Sequence, residues 1–71
     1  MSKILVKIDP STPAGLRRLR KAWGLNLDQV AQGAGIDPTW LSRAERGLIP
    51  MSAEQIVRIR QAIEKLWEMA P

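Results

Sequence analysis

Residues 27–46, LDQVAQGAGIDPTWLSRAER, constrain the fold more than any other stretch of the chain. Apolar or small residues fall at helical spacing on both sides of a glycine: Val30, Ala31 and Ala34 before Gly35, and Ile36, Leu41 and Ala44 after it. Side chains three and four positions apart share one face of a helix. Val30 and Ala34 therefore line one face, and Leu41 and Ala44 line one face of the next helix. Ala31 is small where the second helix has to cross close to the first. Gly35 stands where the chain leaves a helix in the left-handed conformation, which a residue without Cβ adopts freely. Two short helices joined by a turn of three to four residues form a helix-turn-helix.

The flanking sequence extends this unit in both directions. Thr12 is the expected N-cap of a helix from about Pro13 to Trp23, because proline at the first helical position loses no hydrogen bond. Leu16, Leu19 and Trp23 share one face of it, and Gly24 ends it. Asn26 caps the second helix, about Leu27 to Ala34. Asp37 caps the third, about Pro38 to Arg46, and Gly47 stops it. Leu48–Met51 is read as a loop. Ser52 and Gln55 have capping-box spacing for a last helix from about Ala53 to Met69. Its stripe of Ile56, Ile59, Ile63 and Leu66 is assigned to the core. Residues 2–8, SKILVKI, alternate in part, with Ile4, Val6 and Ile8 on one side, and have strand propensity. The chain thus divides into an extended segment, strand or arm over 1–11 and a helical domain over 12–71, the helix-turn-helix lying at 27–46.

Size and composition exclude several function classes. A chain of 71 residues builds one small core. Neither a separate effector domain nor an enzymatic cleft is expected at that length. There is no Cys and no His, so disulfides, thiolate chemistry and imidazole catalysis are absent, and the common zinc ligands with them. No nucleophile–base pair or phosphate-binding loop is visible, so an enzyme is not expected. Nor is any cofactor or small-molecule effector. The N-terminus shows no signal-peptide pattern, and the run Ile4–Ile8 is too short to span a bilayer. A cytoplasmic protein without membrane contact is expected. The net charge of +4 lies wholly before Gly47, where eight basic residues face four acidic ones. Charge placed this way is either an ordinary solvated surface or a phosphate-facing side.

The stretch LRRLRKAWGLNLDQVAQGAGIDPTWLSRAERG, residues 16–47, resembles the lambda-repressor-like family, also called the xenobiotic-response-element family. The resemblance rests on the opening Leu16-Arg17-Arg18-Leu19-Arg20, on Gly24-Leu25 before the second helix, and on the closing Leu41-Ser42-Arg43-Ala44-Glu45-Arg46-Gly47. It covers nearly half the chain, and the last helix extends it to about residue 66. It implies an all-α domain of four or five helices that binds double-stranded DNA, usually as a homodimer on an inverted-repeat operator. The third helix would enter the major groove. Positions matching Pro38, Thr39 and Arg43 would face base edges, with Ser42 beside them. Arg43 is the strongest reader, since its fork can donate to guanine O6 and N7 together. Pro38 offers at best contact with a thymine methyl. Arg46 would hold a phosphate, and the first amides of the second helix, at Asn26 and Leu27, would hold another. Relatives often carry Gln where this chain has Leu27, so only the backbone contribution survives there. Trp40 is assigned to the DNA backbone, its indole N–H donating to a phosphate; the alternative is a ring folded over the second helix as core. Arg20 and Glu45 match a buried salt bridge. Arg17 and Arg18 are read as a solvated helix face.

Relatives often place basic residues in the loop that here reads Leu48–Met51, so a phosphate contact from it is in doubt. Leu48, Ile49, Met51, Trp67 and Met69 are apolar residues that a monomer core does not obviously need, and the same holds for Ile4, Val6 and Ile8. Either set is a candidate dimer seam, with the loop and last helix favoured. The lead expectation is a small dimeric repressor. The alternative is a protein-interaction module that keeps the fold, suggested by Leu27, Pro38 and the apolar loop. The setting (phage, antitoxin, restriction control or anti-CRISPR) is left open, as is activation in place of repression.

Overall fold

The computed structural model describes residues 9–69. The expected strand over 2–8, and with it Ile4, Val6 and Ile8 as seam residues, lies outside the described residues. Four helices succeed one another along the chain: α1 (Pro13–Ala22), α2 (Leu27–Ala34), α3 (Pro38–Glu45) and α4 (Ala53–Met69). Among the described residues there are four helices and no strand, as an all-α domain requires. Two expected ends move by one residue: Trp23 and Arg46 are the C-caps of α1 and α3, not their last helical residues.

Each helix starts where a side chain can satisfy its free amides. Thr12 Oγ1 accepts from Gly15 N at 2.9 Å, and Asp37 Oδ2 accepts from Trp40 N at 3.0 Å. Ser52 and Gln55 form a reciprocal capping box at the start of α4, with bonds of 2.9 and 3.1 Å. Gly15 is also a point of close approach. A Cβ there would stand 1.5 Å from the Asp9 carbonyl oxygen, so the turn that delivers Thr12 to its capping position needs a glycine.

The turn between α2 and α3 shows how the chain is redirected. Gly35 has φ of 69°, and its amide donates to the Gln32 carbonyl at 3.2 Å. The next amide, Ile36 N, reaches back to the Ala31 carbonyl at 2.9 Å. These are the two bonds of a Schellman motif, and Ile36 packs against the core as that motif favours. The same pair of bonds closes α1 before Leu25 and α3 before Leu48.

The apolar faces converge on one core. Leu16, Val30, Ala31, Leu41, Ala44, Ile59 and Ile63 are fully buried, with Leu19, Ala34 and Ala62 nearly so. Burying a Leu, Ile or Val side chain contributes about 1.5–3 kcal/mol, so these few residues dominate a domain of this size. The long helix α4 packs chiefly against α2 and also against α1, while α3 packs on α2 and α1. That arrangement leaves one side of α3 and the start of α2 facing solvent together.

Candidate nucleic-acid interface

The exposed side of α3 and the first turn of α2 form an open groove of about 390 Å³. It is lined by Leu27, Asp28, Pro38, Thr39, Ser42, Arg43 and Arg46. Five of these, Pro38, Thr39, Ser42, Arg43 and Arg46, come from α3 and its cap and were all expected on that face. A second depression, between α2 and α4, is lined by Gln29, Gln32, Gly33 and Leu66 and has no charged side chain. Of these two, the first alone carries positive charge.

Arg43 and Arg46 supply that charge. Both are exposed, and among the described residues neither takes part in an ion pair. Arg46 Nε donates to the Ser42 carbonyl at 3.3 Å, which tethers the guanidinium along its own helix. The Nη groups of Arg46 make no hydrogen bond among the described residues, so they face outward as donors. Arg43 is in the last turn of α3, where a cation also complements the helix dipole.

The first turn of α2 is arranged by Asn26. Its Oδ1 accepts from Gln29 N at 2.8 Å, and its own amide donates to Gln29 Oε1 at 3.1 Å. This capping box is complete, although Asn26 alone was expected to cap. It has a consequence for the expected phosphate site. The Asn26 amide is taken by Gln29, and the free donors are the amides of Leu27 and Asp28. Asn26 acts by capping, and Leu27 is half-buried with its side chain in the groove wall.

Trp40 is absent from that lining. It is half-buried and packs against the hydrophobic core, which leaves the indole N–H contact with a phosphate untested. Arg20 and Glu45 form a buried, two-pronged pair behind the groove. Arg20 Nε and Nη2 donate to the two carboxylate oxygens at 3.0 and 2.9 Å, and Nη1 donates to the Leu25 carbonyl at 3.0 Å. The pair thus ties the end of α3 to the turn between α1 and α2. Arg17, expected only as a solvated residue, stands 3.9 Å from the same carboxylate.

The apolar residues assigned to a seam separate into two groups. Met51 packs against the core, and Trp67 stacks on Trp23 with ring centroids 4.7 Å apart and planes 25° apart. The monomer thus uses Met51, whereas Trp67 has one ring face against Trp23 at the end of α1 but is still 48% exposed, and so keeps its place among the seam candidates. Leu48 and Met69 are 66% and 72% exposed, and Ile49 is half-buried. Val57, also exposed, was not singled out from the sequence. Asp28 was missed as well, because helical spacing does not reveal what stands across from α3. No helix among the described residues is long and apolar enough to cross a membrane.

No curated protein and no solved structure matches the chain. A family model described as a helix-turn-helix domain matches residues 14–64, which run from the start of α1 through most of α4 and include the whole groove. The chain belongs to this helix-turn-helix domain family.

Proposed function

We propose that the protein is a sequence-specific DNA-binding regulator of transcription, working in the cytoplasm as a homodimer on an inverted-repeat operator. The observation that carries this reading is the groove, in which two arginines without an ion pair among the described residues lie with two hydroxyls on one side of α3. In the reading, α3 enters the major groove. Arg43 donates to guanine O6 and N7, a contact worth roughly 1–3 kcal/mol of discrimination. Thr39 and Ser42 bond bases or phosphates, Pro38 touches a thymine methyl, and Arg46 holds a phosphate. The amide of Leu27 receives another phosphate oxygen.

One such module reads few base pairs. A twofold pair doubles the contacts and spaces the half-sites by about one helical turn, 34–36 Å. Leu48 and Ile49, with Met69, supply the apolar surface for pairing. Occupying the operator blocks polymerase, so repression is the simplest mode of action. A second reading, a protein-interaction module on the same fold, is favoured by Leu27 and Pro38 in the groove wall.

Selection from a random duplex pool, followed by binding of the winner at two salt concentrations, separates the two. The proposal expects an enriched inverted repeat and steep salt dependence. No enrichment, with binding indifferent to salt, would transfer the groove to a protein partner.

A further inference from the structure

The groove contains one feature at odds with a simple phosphate clamp. Asp28, the second residue of α2, lines it together with Thr39, Ser42, Arg43 and Arg46. Asp28 is exposed, and among the described residues its carboxylate is in no ion pair with either arginine. Two ordinary duties do not account for it. The capping of α2 is already complete through Asn26 and Gln29, so the carboxylate is not needed as a cap. Its charge does favour the helix N-terminus, but that benefit is the same on any side of the first turn. It does not require a carboxylate in the groove.

A carboxylate brought against DNA meets a wall of negative phosphates. It is tolerated in a contact only where it gains a hydrogen-bond donor. The major-groove edge offers two, cytosine N4 and adenine N6. Guanine presents the acceptors N7 and O6, and thymine presents the acceptor O4 and a methyl group. Adenine also sets its N7 acceptor beside N6, which opposes the second carboxylate oxygen. Cytosine presents its amino group without such a neighbour.

Resting on the DNA-binding reading above, we infer that Asp28 is a specificity-determining residue of the groove, accepting a hydrogen bond from a base amino group, that of cytosine foremost. Where the amino group lies on the opposite strand's base, the same carboxylate faces acceptors and phosphates and weakens binding. Arg43 and Asp28 then divide the work by sign. The cation selects acceptor-rich guanine, and the anion selects a donor and rejects the rest.

The test runs random-pool selection in parallel on the wild-type protein, Asp28→Ala and Asp28→Asn, and measures each on the winning duplex and on random duplex. Thermal unfolding of each variant checks that the fold is kept, as expected for an exposed residue. The wild type should prefer cytosine at one position. Asp28→Ala should lose about tenfold of discrimination there, keep its other preferences, and bind random duplex more tightly. Asp28→Asn should move that position towards adenine, whose N6 and N7 match a carboxamide. Identical base preferences in all three proteins would overturn the inference. So would tighter binding of random duplex with unchanged preferences, because that is repulsion without readout. A wild type that enriches no sequence is a distinct outcome, seen without any variant: it removes DNA reading itself, and this inference with it.

Discussion

The turn after α2 and the turn after α3 are built by the same two backbone bonds, yet they leave their apolar residues in opposite places. Gly35 and Gly47 both have positive φ, 69° and 81°, and the next amide in each case reaches back five residues to a carbonyl. Ile36 after the first turn packs on the core, whereas Leu48 after the second is 66% exposed. Local sequence thus dictates the turn but not the burial of the residue next to it. Burial depends on the element that stands opposite. Ile36 leads from α2 into α3 inside the packed unit, while Leu48 leads out of it along the loop to α4. An apolar side chain held outward by a well-formed turn is available to a second copy of the chain.

The largest effect is expected at the clamp behind the second turn. Glu45→Ala strands the buried guanidinium of Arg20 and should cost about 3–5 kcal/mol in urea unfolding. A loss below about 1 kcal/mol would mean that the two turns are not held together through this pair. Matched truncations distinguish the two apolar residues. Ile36→Ala should cost about 1–2 kcal/mol, less than a fully buried isoleucine would, because Ile36 is half-buried. Leu48→Ala should change monomer stability by no more than about 0.5 kcal/mol while weakening self-association in sedimentation equilibrium. Equal destabilisation by the two, with unchanged association, would remove Leu48 from the seam.

Alanine at the two glycines sharpens the comparison further. A Cβ at Gly35 or Gly47 would meet no atom within 4 Å, so the whole cost is backbone conformation. Each substitution should lose about 1–2 kcal/mol, and the two losses should agree. Clearly unequal losses would show that the turns are not locally equivalent.

The smallest effect belongs to the turn before α1, which is held by a side chain and not by a left-handed glycine. The Ser11 hydroxyl and then the Ser11 amide donate to the Asp9 carboxylate and hold its pKa below the ordinary carboxylate value. A depressed folded-state pKa stabilises the fold above the ordinary value, and the contribution is lost as pH falls through the lowered one. Ser11→Ala should return the Asp9 pKa towards its ordinary value in an NMR titration. An unmoved titration would remove Ser11 as the cause.

The range of each sequence signal sets how much of the structure it reveals. Caps, glycine turns and helix faces are short-range, and Thr12, Asn26, Asp37 and Ser52 all begin helices where their spacing says they should. The partner of Asn26 was legible too, since Gln29 stands three residues on, at the spacing of a capping box. Contacts between distant helices are different. Periodicity gives the core stripe of α4 but not that Trp67 finds Trp23 beside it. In the same way it puts Arg43 on the outward side of α3 but does not bring Asp28 to the facing wall. The approach of Arg17 to Glu45 depends on how α1 crosses the end of α3, which no local pattern carries.

On the proposal above, the outward side of α3 reads a base sequence. The most direct test compares wild type and Arg43→Ala on a selected operator and on random duplex. The claim predicts that the ratio of the two affinities falls by about tenfold or more, while affinity for random duplex falls far less. Equal losses on operator and random duplex would contradict it, leaving Arg43 as a phosphate contact and the groove without a reader.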